Sequence, residues 1–396
     1  MLNPVRAAQA LEAKRDLLLQ TQKERAHVAG EARRAYARFC ALDPAEAQDR
    51  LDGEQWPGAR LTAEHWSCPE RAVPFPLTLA THREAREWAL AALRGQVTIA
   101  VDGSQVSLSD EYDLPLAAAQ VGWYVNPHLE SEQHEKEVRL EILVGDELFP
   151  SGQEGARLDV RRFQMEVERC AELMRAHSGR DPKPVCFLDD PLVIPFAGEH
   201  GTGRREAYVA GISSLLEESE RLRVPLVGYT ADPSASDLAH MLRSLGLLPR
   251  EARVSDAQFV GPALRNWGDR TCTYFCARPR AYLDQYLRSD GSSLADQIAF
   301  CYLRVTASGR PARLEFPRWL AEDPDQLARV LDVVRAECII GLGYPYAIEA
   351  AHDAAVLTSA DRARLSRLFA QYCRDAGLRV SATTKATSKR RRRRGG

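Results

Sequence analysis

The run Val97-Thr98-Ile99-Ala100-Val101-Asp102-Gly103-Ser104-Gln105 limits the choice of fold most sharply. Five apolar or β-branched residues make a buried strand, and the Asp-Gly-Ser that follows predicts a strand end at Asp102. A second run of this kind, Pro184-Val185-Cys186-Phe187-Leu188, leads into Asp189 and Asp190. Two such strands can place carboxylates together at one edge of a sheet. Their paired negative charge is costly unless a divalent cation neutralises it. The alternative is that each Asp caps a turn or the next helix.

The rest of the chain is patterned as an α/β protein. Strand patterns recur at 97–101, 116–125, 137–144, 184–188, 224–229, 271–277, 300–306 and 312–316. Helix patterns lie at 159–177, 205–222, 235–246, 280–287, 324–337 and 359–375. Strands mixed with long helices indicate an α/β core. Residues 1 to about 50 read as one or two amphipathic helices, and the Pro- and Gly-punctuated 51–80 stretch as a crossing or linker segment. This gives three zones: a helical N-terminal extension with linker at 1–80, a core domain at 81–378, and a basic tail at 379–396.

Charge and cysteine usage exclude several classes. Lys389 and Arg390 to Arg394 alone carry six positive charges, so the formal −2 leaves about eight net negative charges on the chain outside those six residues. A tail of this composition is expected to be disordered, and either to attract a nucleic-acid backbone or merely to solubilise. The acidic body disfavours broad binding to duplex DNA but leaves room for a narrow basic channel. Nine scattered cysteines with no Cys-x-x-Cys pair predict reduced thiols and no zinc site. No stretch of about eighteen apolar residues occurs and the first residues lack a signal-peptide core, which predicts a cytoplasmic protein with no membrane partner.

Two further candidates come from helices. In 159–177, Phe163, Val167, Cys170 and Met174 share one stripe, and Glu166 flanks it, able to reach a neighbouring strand end or to stay solvated with Arg162 as its i−4 partner. In Gly341-Leu-Gly-Tyr-Pro-Tyr-Ala-Ile-Glu-Ala-Ala-His, Gly and Pro open an Ala-rich helix that carries His352. That His suits metal ligation or proton transfer near neutral pH, and a hydrogen-bonded core His is the alternative.

In this order the chain resembles the NurA family of DNA double-strand-break repair nucleases, which work beside the HerA translocase ATPase. The resemblance rests on Ile99-Ala-Val-Asp-Gly-Ser, Phe187-Leu-Asp-Asp-Pro-Leu, Phe300-Cys-Tyr-Leu-Arg-Val with Leu314-Glu-Phe-Pro-Arg-Trp, and the Gly343-Tyr-Pro to His352 segment, over roughly residues 90 to 375. It implies a ribonuclease-H-like mixed sheet core flanked by helices. By position it assigns Asp102, Glu166, Asp189 and His352 to metal binding and catalysis, and Tyr302 to a functional tyrosine. Either Asp189 or Asp190 could be the ligand, with Asp189 favoured by alignment. Where relatives often carry a lysine after Val227-Gly228, this chain has Tyr229; if that lysine contacts phosphate, DNA handling here is either altered or supplied by arginines such as Arg270 or Arg304.

Three carboxylates and an imidazole form a hard, mostly oxygen donor set suited to Mn²⁺ or Mg²⁺. The resemblance further implies a deoxyribonuclease with 5′–3′ exonuclease and single-strand endonuclease activity, a homodimer enclosing DNA, and a HerA-like hexameric ATPase as partner. A catalytically inactive DNA-end-binding adaptor of the same ATPase is the alternative, and the complete acidic set argues against it. A phosphatase of small substrates is disfavoured by the absence of a Gly-x-x-x-x-Gly-Lys loop.

Overall fold

The computed structural model describes residues 2–108, 110–148, 154–194, 203–279, 283–306, 310–381 and 383. The basic tail from residue 384 onward and the start of the helix expected at 280–287 lie outside the described residues. By internal contacts the chain divides into two units. One comprises Met1–Thr78, Thr230–Arg280 and Ala299–Leu314, and the other Leu79–Tyr229, Ala281–Ile298 and Glu315–Gly396.

In the first unit β1 (Gly58–Leu61) and β2 (Ala72–Val73) arise from the stretch read as a linker. Their shortness and the surrounding prolines hid them from a period-two search. β1 pairs antiparallel with a later strand, Tyr274–Ala277, and β2 with Arg270–Thr271. The single strand expected at 271–277 is therefore two, interrupted at Cys272 and Thr273. The helix Arg15–Ala41 exposes Leu17, Leu18 and Leu19 but buries Ala32, Ala35, Tyr36 and Phe39. The Tyr36 ring lies 5.6 Å from that of Phe259, so its second half packs within its own unit.

In the second unit β3 (Thr98–Ser107), β4 (Leu116–Asn126) and β5 (Glu135–Val144) form an antiparallel meander. The helix Glu154–His177 then leads to β6 (Val185–Leu188), and the helix Arg204–Leu222 leads to β7 (Leu226–Thr230). Both of these strands run parallel, β6 beside β3 and β7 beside β6, giving the order β7-β6-β3-β4-β5. The remaining strands are β8 (Arg270–Thr271), β9 (Tyr274–Ala277), β10 (Ile298–Leu303) and β11 (Ala312–Pro317). The protein is thus a mixed α/β fold in which antiparallel pairing predominates and helices flank the strands.

One expectation fails in an informative way. β3 does not stop at Asp102 but runs on to Ser107, because β4 pairs with it from Thr98↔Asn126 to Ser107↔Ala117. What stops is the parallel neighbour, whose pairing ends at Ala100↔Phe187. Asp102 therefore lies mid-strand, just beyond the point where β3 loses its partner on one side. No described helix is long and apolar enough to cross a membrane, and all nine cysteines are free.

Candidate active site

Side chains alternate across a strand, so the Asp-Gly-Ser-Gln stretch serves two faces in turn. Asp102 points to the face covered by the helix Tyr346–Ala355, where its Oδ2 accepts a hydrogen bond from His352 Nδ1 at 2.7 Å. Ser104, on the same face, accepts from the Leu357 N–H at 3.0 Å just past that helix. Opposite Asp102 in register stands Gly122, where a Cβ would come within 2.5 Å of the Ala355 backbone nitrogen. The alanines of the helix and the missing side chain of Gly122 together let the helix approach closely enough for His352 to meet Asp102. The ring keeps 60% of its side-chain surface exposed, which removes the core-histidine alternative.

Gly103 faces the other side, against the helix Glu154–His177. A Cβ there would lie 2.0 Å from Glu166 Oε1 and 2.8 Å from Arg162 Cγ, so the carboxyl occupies the space that glycine leaves. Gln105, again on this face, bonds Asp159 of the same helix. Phe163, Val167, Cys170 and Met174 are buried as their stripe requires. Glu166 is not solvated: it is 3% exposed and ion-paired with Arg162.

β6 ends at Leu188, and Asp189 and Asp190 follow as expected. Asp189 Oδ1 accepts a hydrogen bond from the Tyr344 hydroxyl. Asp190 borders a cavity of about 220 Å³ shared with Arg162, Phe163, Arg204 and Tyr208. Tyr344 is braced edge-on by Tyr229 at 5.1 Å between ring centroids. Buried Glu337 accepts from the Ala347 N–H at 2.8 Å, fixing the start of the helix that carries His352.

The electrostatics tie these residues together. Burial pushes Glu166 up to about 8 against the pull of Arg162, and the charges of Asp102 and Asp190 push the same way. Asp190 is pushed up to about 6 by burial, then by Asp189, with Asp102 adding to it. Asp189 is raised by burial and by Asp102, opposed by its Tyr344 bond and by His352. The four carboxyl groups thus share one field of negative charge, gathered where β6 leaves β3 unpaired.

A pH dependence of stability follows. An ordinary Glu ionises near 4.5, so between about 4.5 and 8 the unfolded chain loses the Glu166 proton while the folded chain keeps it. The contribution of Glu166 is complete below 4.5 and is lost as pH rises to 8, at up to about 1.4 kcal/mol per pH unit. In EDTA, thermal midpoints measured from pH 5 to 8 are expected to fall more steeply for the native chain than for Glu166→Gln. Equal slopes would mean that Glu166 ionises normally.

Among the described residues, no group of three or more His, Cys, Asp or Glu side chains is assembled as a metal site. Each carboxylate is instead engaged locally: Asp102 by His352, Glu166 by Arg162, Asp189 by Tyr344. By residue type, three carboxylates and an imidazole are still a hard, mostly oxygen donor set of the kind Mg²⁺ or Mn²⁺ takes.

Tyr302 belongs to the first unit. It is fully buried, its hydroxyl donating to Asp256 Oδ2 at 2.8 Å and accepting from Arg313 Nη1 at 2.9 Å, with Arg313 in turn 3.0 Å from Asp237. The tyrosine that reaches the carboxylates is Tyr344, inside the Gly-Tyr-Pro segment. Its signal was the glycine before it and the proline after it, which pin its backbone. Arg270 is likewise buried, paired with Glu64.

A family model described as the NurA domain matches residues 96–357. Solved structures similar to the chain include the crystal structure of the NurA nuclease from Sulfolobus solfataricus, at 10% identity. The match covers 71% of this chain and 85% of that one with a TM-score of 0.45. No curated protein matches the chain.

Proposed function

The chain belongs to the NurA family, and from that premise we propose that it is a divalent-metal-dependent deoxyribonuclease whose site is formed by Asp102, Glu166, Asp189 and His352. One observation carries the assignment: the Glu166 carboxyl fills the space that Gly103 leaves, one residue along β3 from Asp102, whose Oδ2 in turn holds His352 Nδ1. Acidic groups held so close in a folded protein are unfavourable alone, and such arrangements gather at functional sites. The strand order β7-β6-β3-β4-β5, an antiparallel meander followed by two parallel strands, supports a ribonuclease-H-like core.

Asp102 and Asp189 would hold Mn²⁺ or Mg²⁺, with Glu166 completing the shell once Arg162 releases it. Such an ion lowers the pKa of water and stabilises charge on the leaving oxygen. The residues of the chain do the rest. His352, oriented by the bond from Nδ1 to Asp102, has Nε2 left to pass a proton to the leaving sugar oxygen as the phosphodiester bond breaks. Tyr344 fixes the Asp189 carboxylate, and Arg162, relieved of Glu166, can pair with a phosphate oxygen.

Family membership supports the finer reading as well: 5′–3′ exonuclease and single-strand endonuclease action in end resection at double-strand breaks, a homodimer, and a HerA-like hexameric ATPase as partner. The exposed Leu17, Leu18 and Leu19 offer an apolar surface for such a contact. The alternative is an inactive DNA-end-binding adaptor; against it, Asp102 and Asp189 keep solvent-exposed surface, while Glu166 is buried against Arg162. DNA labelled at the 5′ or 3′ end, single- or double-stranded, is expected to be degraded with Mn²⁺ or Mg²⁺ and left intact in EDTA. Binding without cleavage in either ion would favour the adaptor.

A further inference from the structure

Leu342 sits where a folded chain gains nothing from a leucine. It follows Gly341, the cap of the helix Pro324–Ile340, with φ of 56°, and it is 96% exposed. The Gly343 N–H returns to the Cys338 carbonyl at 2.7 Å, so the helix ends through a left-handed residue, a position that glycine takes by default. Glycines stand at 341 and 343, yet the strained position between them holds a branched apolar side chain. Neither its conformation nor its exposure is repaid by packing within the chain. Strain retained in this way points to a contact made with something else.

The neighbouring residues indicate what that contact is. Tyr344, two residues on, is tied to Asp189 and braced by Tyr229, whose hydroxyl donates to the Gly343 carbonyl at 3.4 Å. Two residues of chain span at most about 7 Å, so the leucine stands at that distance or less from the tyrosine that anchors a site carboxylate. Tyr346, 40% exposed, adds an aromatic face to the same segment. The loop is fixed at its base and bare at its tip. Asp102, by contrast, keeps only 18% of its side-chain surface exposed.

We propose that Leu342 is an apolar wedge that presses into the terminal base pair of a duplex DNA end and unstacks it, passing one strand toward Asp102 and Asp189. An uncharged, rigidly presented side chain suits a base face and not a phosphate, and apolar wedges between base steps are a known way to open a duplex. The inference rests on the nuclease reading and names the positioning residue for base-paired substrate.

The test uses the full chain in EDTA with a blunt duplex carrying 2-aminopurine at its end, whose fluorescence rises when the base unstacks. Native protein is expected to raise the signal, Leu342→Gly to lose it at the same fraction of DNA bound, and Leu342→Phe to restore it. In Mn²⁺, Leu342→Gly is expected to lose about tenfold more kcat/KM on blunt duplex than on single strands, the scale of one base-stacking contact. Its thermal midpoint is expected to be equal or higher, because glycine accepts this φ without strain. An undiminished 2-aminopurine signal in Leu342→Gly, or equal losses on both substrates, overturns the wedge. So does a change of oligomeric state with duplex cleavage retained, which assigns Leu342 to a contact between copies. A native protein that gives the signal yet cuts no DNA in Mn²⁺ or Mg²⁺ overturns the nuclease reading and leaves the wedge standing.

Discussion

Asp102→Asn is expected to cut DNA cleavage by roughly a thousandfold or more while leaving the protein folded. The substitution keeps the shape of the side chain and an oxygen to accept from His352 Nδ1, so the helix Tyr346–Ala355 stays seated on Gly122. It removes the negative charge that a divalent ion requires, and the several kcal/mol of charge stabilisation such an ion gives correspond to about three powers of ten in rate. Relief of repulsion among Asp102, Glu166, Asp189 and Asp190 should hold the thermal midpoint in EDTA level or raise it. Steady-state cleavage and a melting curve on the same sample check both halves. An active variant would remove Asp102 from the site.

Asp189→Asn and Asp190→Asn are expected to differ. Asp189 is coupled to Asp102 and His352 and is oriented by Tyr344, so its loss should cost on the order of a hundredfold or more. Asp190 borders the cavity with Arg162 and Arg204 and acts on Glu166 mainly through its charge, so about tenfold is expected. The reverse ranking in parallel kcat measurements would move the ligand role to Asp190.

The sequence reading reached the site by pattern and missed what depends on contact. Period and β-branching located β3, β6 and the buried stripe of Phe163, Val167, Cys170 and Met174. Asp102 was misplaced relative to the strand because a strand end and the end of one neighbour's pairing look alike in a single chain: β4 carries β3 onward where β6 does not. Glu166 read as a boundary residue because its burial depends on Gly103, sixty-three positions earlier, leaving room for the carboxyl. Tyr302 entered by its position in the family resemblance, and in the fold its hydroxyl is bonded to Asp256 and Arg313. Sequence alone does not single out Tyr344 within the Gly343-Tyr-Pro segment, since only the fold shows that its hydroxyl reaches Asp189. β1 and β2 escaped because strands of four and two residues leave no periodic trace.

The central claim is that this carboxylate cluster holds the cation that hydrolysis needs, and calorimetric titration of Mn²⁺ into native and Asp102→Asn protein at one pH tests it without relying on cleavage. The native chain is expected to bind Mn²⁺ with release of protons, because Glu166 and Asp190 start out with raised proton affinity, and Asp102→Asn is expected to bind at least about tenfold more weakly. Equal binding by the two proteins, or binding with no proton release, would contradict it.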